Sequence, residues 1–120
     1  MNRVNWIEAK GKKILYIDYS GLKTNEELLA VLDEHVKAAI GSQTKYLSIL
    51  NFKDASASNE FMDQVKKAGK EVLEEKTERS AVLGITGLKS VLFQAYLKFS
   101  GAKTTRAFNT EEEAIAYLVS

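Results

Sequence analysis

Cysteine is absent from this chain of 120 residues, which excludes disulfides, thiolate metal sites and cysteine nucleophiles. Histidine occurs once, so a zinc site would need unusual ligands, and no metal or other cofactor is expected. Charge of one sign is nowhere concentrated. Lys plus Arg number 17 against 16 Asp plus Glu, the formal charge is +1, and the signs alternate along the chain. Nucleic acid is therefore not an expected partner, because phosphate binding needs a concentrated positive face. No apolar run approaches the roughly 20 residues that span a bilayer, and the opening "MNRVNWIEAK" has no signal-peptide core. The expectation is a soluble, cytoplasmic protein with no stable membrane insertion.

The residues that are present suit one domain over 1–120, since 45% apolar content at this length can bury a core without staples. No low-complexity linker or internal repeat divides the chain. "VNWIEA" and "KKILYIDY" are strand-like runs joined at Lys10-Gly11-Lys12, a tight antiparallel hairpin. Thr24-Asn25-Glu26-Glu27 is a capping-box pattern and starts a helix whose inward stripe is Leu28, Val31, Leu32, Val36 and Ala39, with Gly41 as its stop. "KYLSILNF" is the next strand. "ASNEFMDQVKKAGKEVLEEK" is the next helix, with Phe61, Val65, Ala68 and Val72 facing inward. "RSAVLGI" is a strand, "LKSVLFQAYLKFS" a helix and "TTRAF" a short last strand. Thr110-Glu111-Glu112-Glu113 then repeats the capping box before "AIAYLVS".

The sum is an α/β domain: a β-hairpin followed by αβαβαβα, with five strands of which four are mutually parallel, and four main helices. The hairpin's first strand is antiparallel and at or near an edge. The unbroken apolar runs "ILYI", "LSIL" and "AVLGI" suit strands covered on both faces.

"ILYIDYSGLKTNEELLAVL", "YLSILNF", "RSAVLGITGLKSV" and "RAFNTEEEAIAYL" together resemble the STAS and CRAL-TRIO-like superfamily, in its branch of small bacterial proteins like anti-sigma-factor antagonists. The resemblance covers nearly the whole chain. It implies a right-handed superhelix of β/α units and dimerisation or ligand carriage in place of catalysis. In that branch an Asp-Ser-Ser-Gly run follows the middle strand, and the serine at the start of the next helix is phosphorylated by a partner kinase. This chain reads Asp54-Ala55-Ser56-Ala57-Ser58-Asn59, without the adjacent serine pair or the glycine. Ser56 and Ser58 are thus phosphorylation candidates by resemblance and helix caps by ordinary chemistry.

Other candidates come from the residues themselves. Gly84-Ile85-Thr86-Gly87-Leu88-Lys89-Ser90 has parts of a phosphate cradle, but Leu88 separates the lysine from the last glycine and the P-loop spacing fails, leaving a tight strand-to-helix turn. Asp18, Lys53, Asp54, Thr86 and Lys89 fall at the carboxyl edge of a parallel sheet, where one crevice would hold a ligand; carboxylates there also serve as turn formers. His35 lies on the apolar side of its helix and reads as a buried histidine with one hydrogen-bond partner. Phe93 and Leu97 read as lying opposite an inward face of Leu88, Val91, Leu92, Ala95, Tyr96 and Phe99. That outer pair is expected to contribute to a symmetric homodimer, with a bound apolar ligand as the alternative; the competing reading is burial by "AKTTRAF" or the last helix. The function expected is a non-enzymatic binding or regulatory module for a protein partner or a small apolar ligand. The alternative is a serine-phosphorylated switch, and an enzyme comes third because no catalytic set can be assembled.

Overall fold

Lys10 and Gly11 both take positive φ, 51° and 78°, so the turn between strands β1 (Val4–Ala9) and β2 (Lys12–Asp18) has the twist that antiparallel strands need. Val4 pairs with Ile17 and Ala9 with Lys12 across it. This computed structural model describes residues 3–56, 58–100 and 104–120. Ala57 of the "DASAS" loop, and Ala102 and Lys103 of "AKTTRAF", lie outside the described residues, as do the side chains of Leu88 and Phe99.

Helix α1 (Asn25–Gly41) starts as its capping box requires: Thr24 Oγ1 accepts from Glu27 N–H at 3.2 Å. Leu28, Val31, Leu32, His35 and Ala39 are its buried side, and Val36 is half-buried. Gly41 is not the stop it was read to be. The helix runs through it and ends at Ser42, whose extended backbone returns its N–H to Ala39 O. Strand β3 (Tyr46–Asn51) follows, then α2 (Asn59–Ala68), a π-helical turn over Gly69–Leu73, and a last α-helical turn, α3 (Glu74–Lys76). A π turn carries one more residue per hydrogen-bonded ring than an α turn and so shifts the helix's phase. Phe61 and Val65 face inward as expected, but within the turn the buried side chain is Leu73, while Val72 is half-buried.

Strand β4 (Thr77–Leu83), helix α4 (Leu88–Ser100), strand β5 (Thr105–Phe108) and helix α5 (Glu111–Leu118) complete the chain. Thr110 caps α5 by accepting from Glu113 N–H at 3.1 Å. The sheet order is β1-β2-β3-β4-β5, with β2 to β5 parallel and β1 antiparallel at the edge. This is the architecture the alternation of elements predicts.

Strands that follow one another across a sheet in one direction send right-handed crossovers to one face. The two core clusters show it. Leu15, Ile17 and Val82 pack with Leu28 and Leu32 of α1, Phe61 of α2 and Phe93 of α4. Ile14, Ile49, Ala81 and Leu83, on the opposite face, pack with Ala114 and Leu118 of α5. Two-sided cover therefore holds at the sheet's centre but thins toward its margins, where Ile7, Tyr16 and Phe108 are half-buried under α5's side.

The phase shift is testable by truncation. Leu73→Ala should cost about 2–4 kcal/mol in chemical denaturation, the range for a buried leucine, and Val72→Ala less than about half of that. Equal costs, or a larger one at Val72, would restore straight α-helical counting.

Candidate functional site

Ser48 and Ser80 are register partners at the middle of β3 and β4, and Thr105 on β5 pairs with Ser80, so a row of small hydroxylated side chains crosses three adjacent strands. Side chains of that size do not fill the space that leucine or isoleucine would. Above them, α4 packs on α2 and sends Phe93 into the core cluster over the strands. A cavity of about 250 Å³ results, with Ser48, Ser80 and Thr105 among its floor residues and Leu32, Val65 and Phe93 among those in its helical roof.

His35 reaches this cavity from α1. It is 3% exposed, and its Nε2 lies 3.0 Å from the Tyr46 hydroxyl. Its Nδ1 is sealed from solvent and has no hydrogen-bond partner among the described residues. Burial disfavours the imidazolium and pushes the His35 pKa down from 6.5 to about 4, so the ring is neutral at pH 7. The sequence reading of a buried histidine with one partner holds, although that partner was not foreseen. Burial likewise raises the Tyr46 hydroxyl pKa, against a smaller opposing effect of a hydrogen bond with Thr77.

The carboxyl end of the cavity is closed by aromatic rings. Tyr19 and Phe52 stack with centroids 4.5 Å apart and planes 5° from parallel, and Phe61 stands edge-on to both. Gly84, with φ of 77°, makes the close approach this end requires: a Cβ there would lie 2.4 Å from Lys53 N. The glycine-bearing segment is a tight turn, with Lys89 N–H donating to Thr86 O and Ser90 N–H to Gly87 O.

Of the five residues read as one carboxyl-edge crevice, Lys89 alone lines the cavity. Its ammonium donates to Phe52 O at 2.8 Å, and partial burial lowers its pKa while Asp54 opposes that shift. Asp18 instead accepts from Ser20 N–H at 2.8 Å and faces Arg3 at 3.9 Å. Asp54, at φ 58°, is a turn residue whose carbonyl accepts from Lys23 Nζ. Lys53 and Thr86 are exposed. Ser58 is the N-cap of α2, accepting from Phe61 N–H at 3.1 Å and donating to Asn25 Oδ1 at 2.6 Å. Ser56 is exposed and caps nothing.

Phe93 and Leu97 do not form an outer pair. Phe93 is 8% exposed within the core cluster under α4, Leu97 packs against that cluster, and Val91, read as inward, is 64% exposed. The inward stripe runs through Lys89, Leu92, Phe93 and Tyr96, all of which line the cavity. Gln94 and Lys98, both exposed, mark the outer side about 180° away, and they were the signal for the correct phase. Ser48, Ser80 and Thr105 were missed altogether; a serine in the middle of each of two apolar strands was the available cue. Among the described residues no group of three or more histidine or acidic side chains gathers to hold a metal, and no helix is long and apolar enough to cross a membrane.

A β-hairpin leading into sequentially ordered parallel strands, with a helical layer on one face, defines an α/β domain with a SpoIIAA-like fold. Among solved structures the chain is similar to an uncharacterized protein from the DUF3478 family with a SpoIIAA-like fold from Shewanella loihica PV-4, at a TM-score of 0.71 and 14% identity, over 96% of this chain and 91% of that one. At that identity the likeness is one of fold. No family model matches the chain, and no curated protein matches it.

The buried histidine sets a pH dependence. Because the His35 pKa falls from 6.5 unfolded to about 4 folded, the unfolded chain binds the extra proton between those values, and stability must fall as pH drops through that window. The loss should be on the order of 3 kcal/mol, full below about pH 4 and nil above about 6.5. Denaturation of the protein and of His35→Leu across pH 4–7 isolates the effect, since the carboxylates are common to both. Parallel profiles would show that His35 does not carry it.

Proposed function

We propose that this protein is a non-enzymatic, cytoplasmic binding module that holds a small apolar ligand beneath α4. The observation that supports this reading is the cavity of about 250 Å³ at the centre of the helical face, roofed by aliphatic and aromatic side chains. An apolar void of about 150 Å³ already takes up benzene, so a larger one in a small domain is a natural receptacle. Catalysis is not part of the reading, because the polar groups of the cavity include no nucleophile paired with a base.

Filling the floor tests it. Propylbenzene should bind the purified protein and raise its melting temperature, whereas Ser80→Leu, which places a larger side chain in the cavity, should stay folded and lose the response. Uptake by Ser80→Leu equal to that of the parent protein would remove the cavity from consideration.

The phosphorylated switch is a second reading, favoured at one position by the exposure of Ser56. Ser58 is held in two hydrogen bonds as a cap and is the poorer acceptor. Ser58→Ala should cost about 1 kcal/mol as a lost cap, and Ser56→Ala less than about 0.5 kcal/mol. Intact mass after incubation with cell extract and ATP checks the chemistry: a phosphate increment lost in Ser56→Ala carries the switch reading, and an unchanged mass ends it.

A further inference from the structure

Strand β1 forms one edge of the sheet, and the hairpin fixes which of its backbone groups face outward. Asp18 N–H donates to Arg3 O at 2.8 Å, which makes Arg3 a hydrogen-bonded partner of β2. An antiparallel ladder alternates, so Asn5, Ile7 and Ala9 also direct their N–H and C=O groups at β2, in a register that runs unbroken from Val4 with Ile17 to Ala9 with Lys12. Val4, Trp6 and Glu8 therefore turn theirs away from the sheet. Among the described residues those outward groups meet no hydrogen-bond partner.

A bare edge is a template for another strand, and monomers blunt theirs with proline, lysine, a bulge or a covering segment. The six residues "VNWIEA" hold no proline and no lysine, their only charge is Glu8, and their pairing with β2 has no bulge. Asn5, Trp6 and Glu8 are exposed. Trp6, the chain's one tryptophan, is 46% exposed, with its ring edge-on to Tyr46 at 5.9 Å. The opposite edge strand, β5, is four residues long and carries the exposed Arg106.

We infer that β1 pairs antiparallel with β1 of a second copy of this chain, about a twofold axis at Trp6, and joins two five-stranded sheets into one. The register follows from the alternation. Outward groups of two such strands meet only where these three positions oppose one another, and an axis at Trp6 engages all of them: Trp6 with its twin, and Val4 with Glu8 on either side, each pair exchanging two bonds. An axis at Asn5 or Ile7 leaves Glu8 or Val4 facing chain beyond the strand. The charges agree with the same register. Glu8 lies opposite an apolar Val4 and roughly 14 Å along the strands from its twin, farther than the screening length, while Arg3 lies opposite Ala9. The two tryptophans sit side by side on the α1 face, an aromatic cross-strand pair. The occupant is a second copy because the row of groups and the charges beside it complement themselves. Trp6 is not among the residues lining the cavity under α4, so the contact is independent of what fills that space.

An interface one strand wide is small, so the dimer should be weak and should form between micromolar and millimolar protein. Sedimentation velocity over that range should show monomer passing to dimer and stopping there, and the tryptophan emission should move to shorter wavelength in step as Trp6 leaves water. Trp6→Lys sets two ammonium groups opposite each other and should weaken association by roughly tenfold. Because Trp6 also touches Tyr46, Glu8→Pro is the second variant: it removes one outward N–H, keeps every bond to β2, and should weaken association several-fold while staying folded. The register is read by cysteines in this cysteine-free chain. Opposed residues stand roughly 5.5 Å apart, within disulfide reach, so a mixture of Val4→Cys and Glu8→Cys should crosslink between the two variants faster than within either. A monomer at every concentration, or a dimer that both Trp6→Lys and Glu8→Pro leave intact, would overturn the proposal. Growth beyond the dimer would replace the closed pair with open pairing of β1 on β5, and equal crosslinking within and between the cysteine variants would overturn the axis at Trp6.

Discussion

Right-handed crossovers between strands laid down in sequential order leave the chain a single choice of face for α1, α2 and α4. Neighbouring strands are about 4.8 Å apart and packed helices about 8–10 Å apart, so three helices crowd a face only five strands wide. Of the three, α4 lies against α2, brings the Tyr96 hydroxyl to the π turn and sends Phe93 into the core over the strands. Gly69 in that turn has the Tyr96 hydroxyl 3.2 Å from where a Cβ would stand, so a side chain there would press on the tyrosine and shift it by a few tenths of an ångström. The space beneath α4 follows from this crowding together with the small residues at positions 48, 80 and 105.

Energetically the cavity is an expense that the rest of the core offsets. A sealed ring nitrogen without a partner costs about 1–3 kcal/mol, and each missing contact along the void subtracts dispersion energy from its lining. Against this stand the ring contacts of Tyr19, Phe52 and Phe61, which also line the cavity, and the opposite core around Ile14 and Ile49.

Most of the fold was legible in the sequence because each local signal agreed with its neighbours. Thr24 and Thr110 cap helices, Lys10-Gly11 turns a hairpin, and the apolar runs become central strands. The misreadings have one physical origin. Side-chain identity reports that a helix is amphipathic, but when apolar residues surround it, as in α4, the phase rests on two polar positions, Gln94 and Lys98, and outvoting them inverts the face. At the π turn a single residue changes the phase, and no residue type between Gly69 and Leu73 announces it. Gly41 carried no information about its own conformation, because glycine tolerates a helical interior as well as a stop. The candidate site was less legible than the fold, since a cavity is a property of what several strands fail to supply. Ser48, Ser80 and Thr105 are ordinary residues until the parallel register places them side by side.

The same register explains why the carboxyl edge did not gather Asp18, Lys53, Asp54, Thr86 and Lys89 into a pocket. In open α/β sheets the crevice at that edge forms where the strand order reverses, because helices on either side of the reversal leave to opposite faces and their loops part. Here β2, β3, β4 and β5 advance in one direction, so no reversal exists and the loops after the strands close upon each other. Phe52 N–H donates to Leu83 O, Tyr19 N–H to Asn51 O and Gly21 N–H to Lys53 O, lacing three successive loops together. With that edge laced and capped by aromatic rings, the cavity lies below the helices, with Ser48, Ser80 and His35 among its lining residues. Topology thus moves the candidate site from the carboxyl edge of the sheet to the space under the helices, where hydroxyls and a neutral imidazole share a largely apolar lining with Lys89 and Glu74.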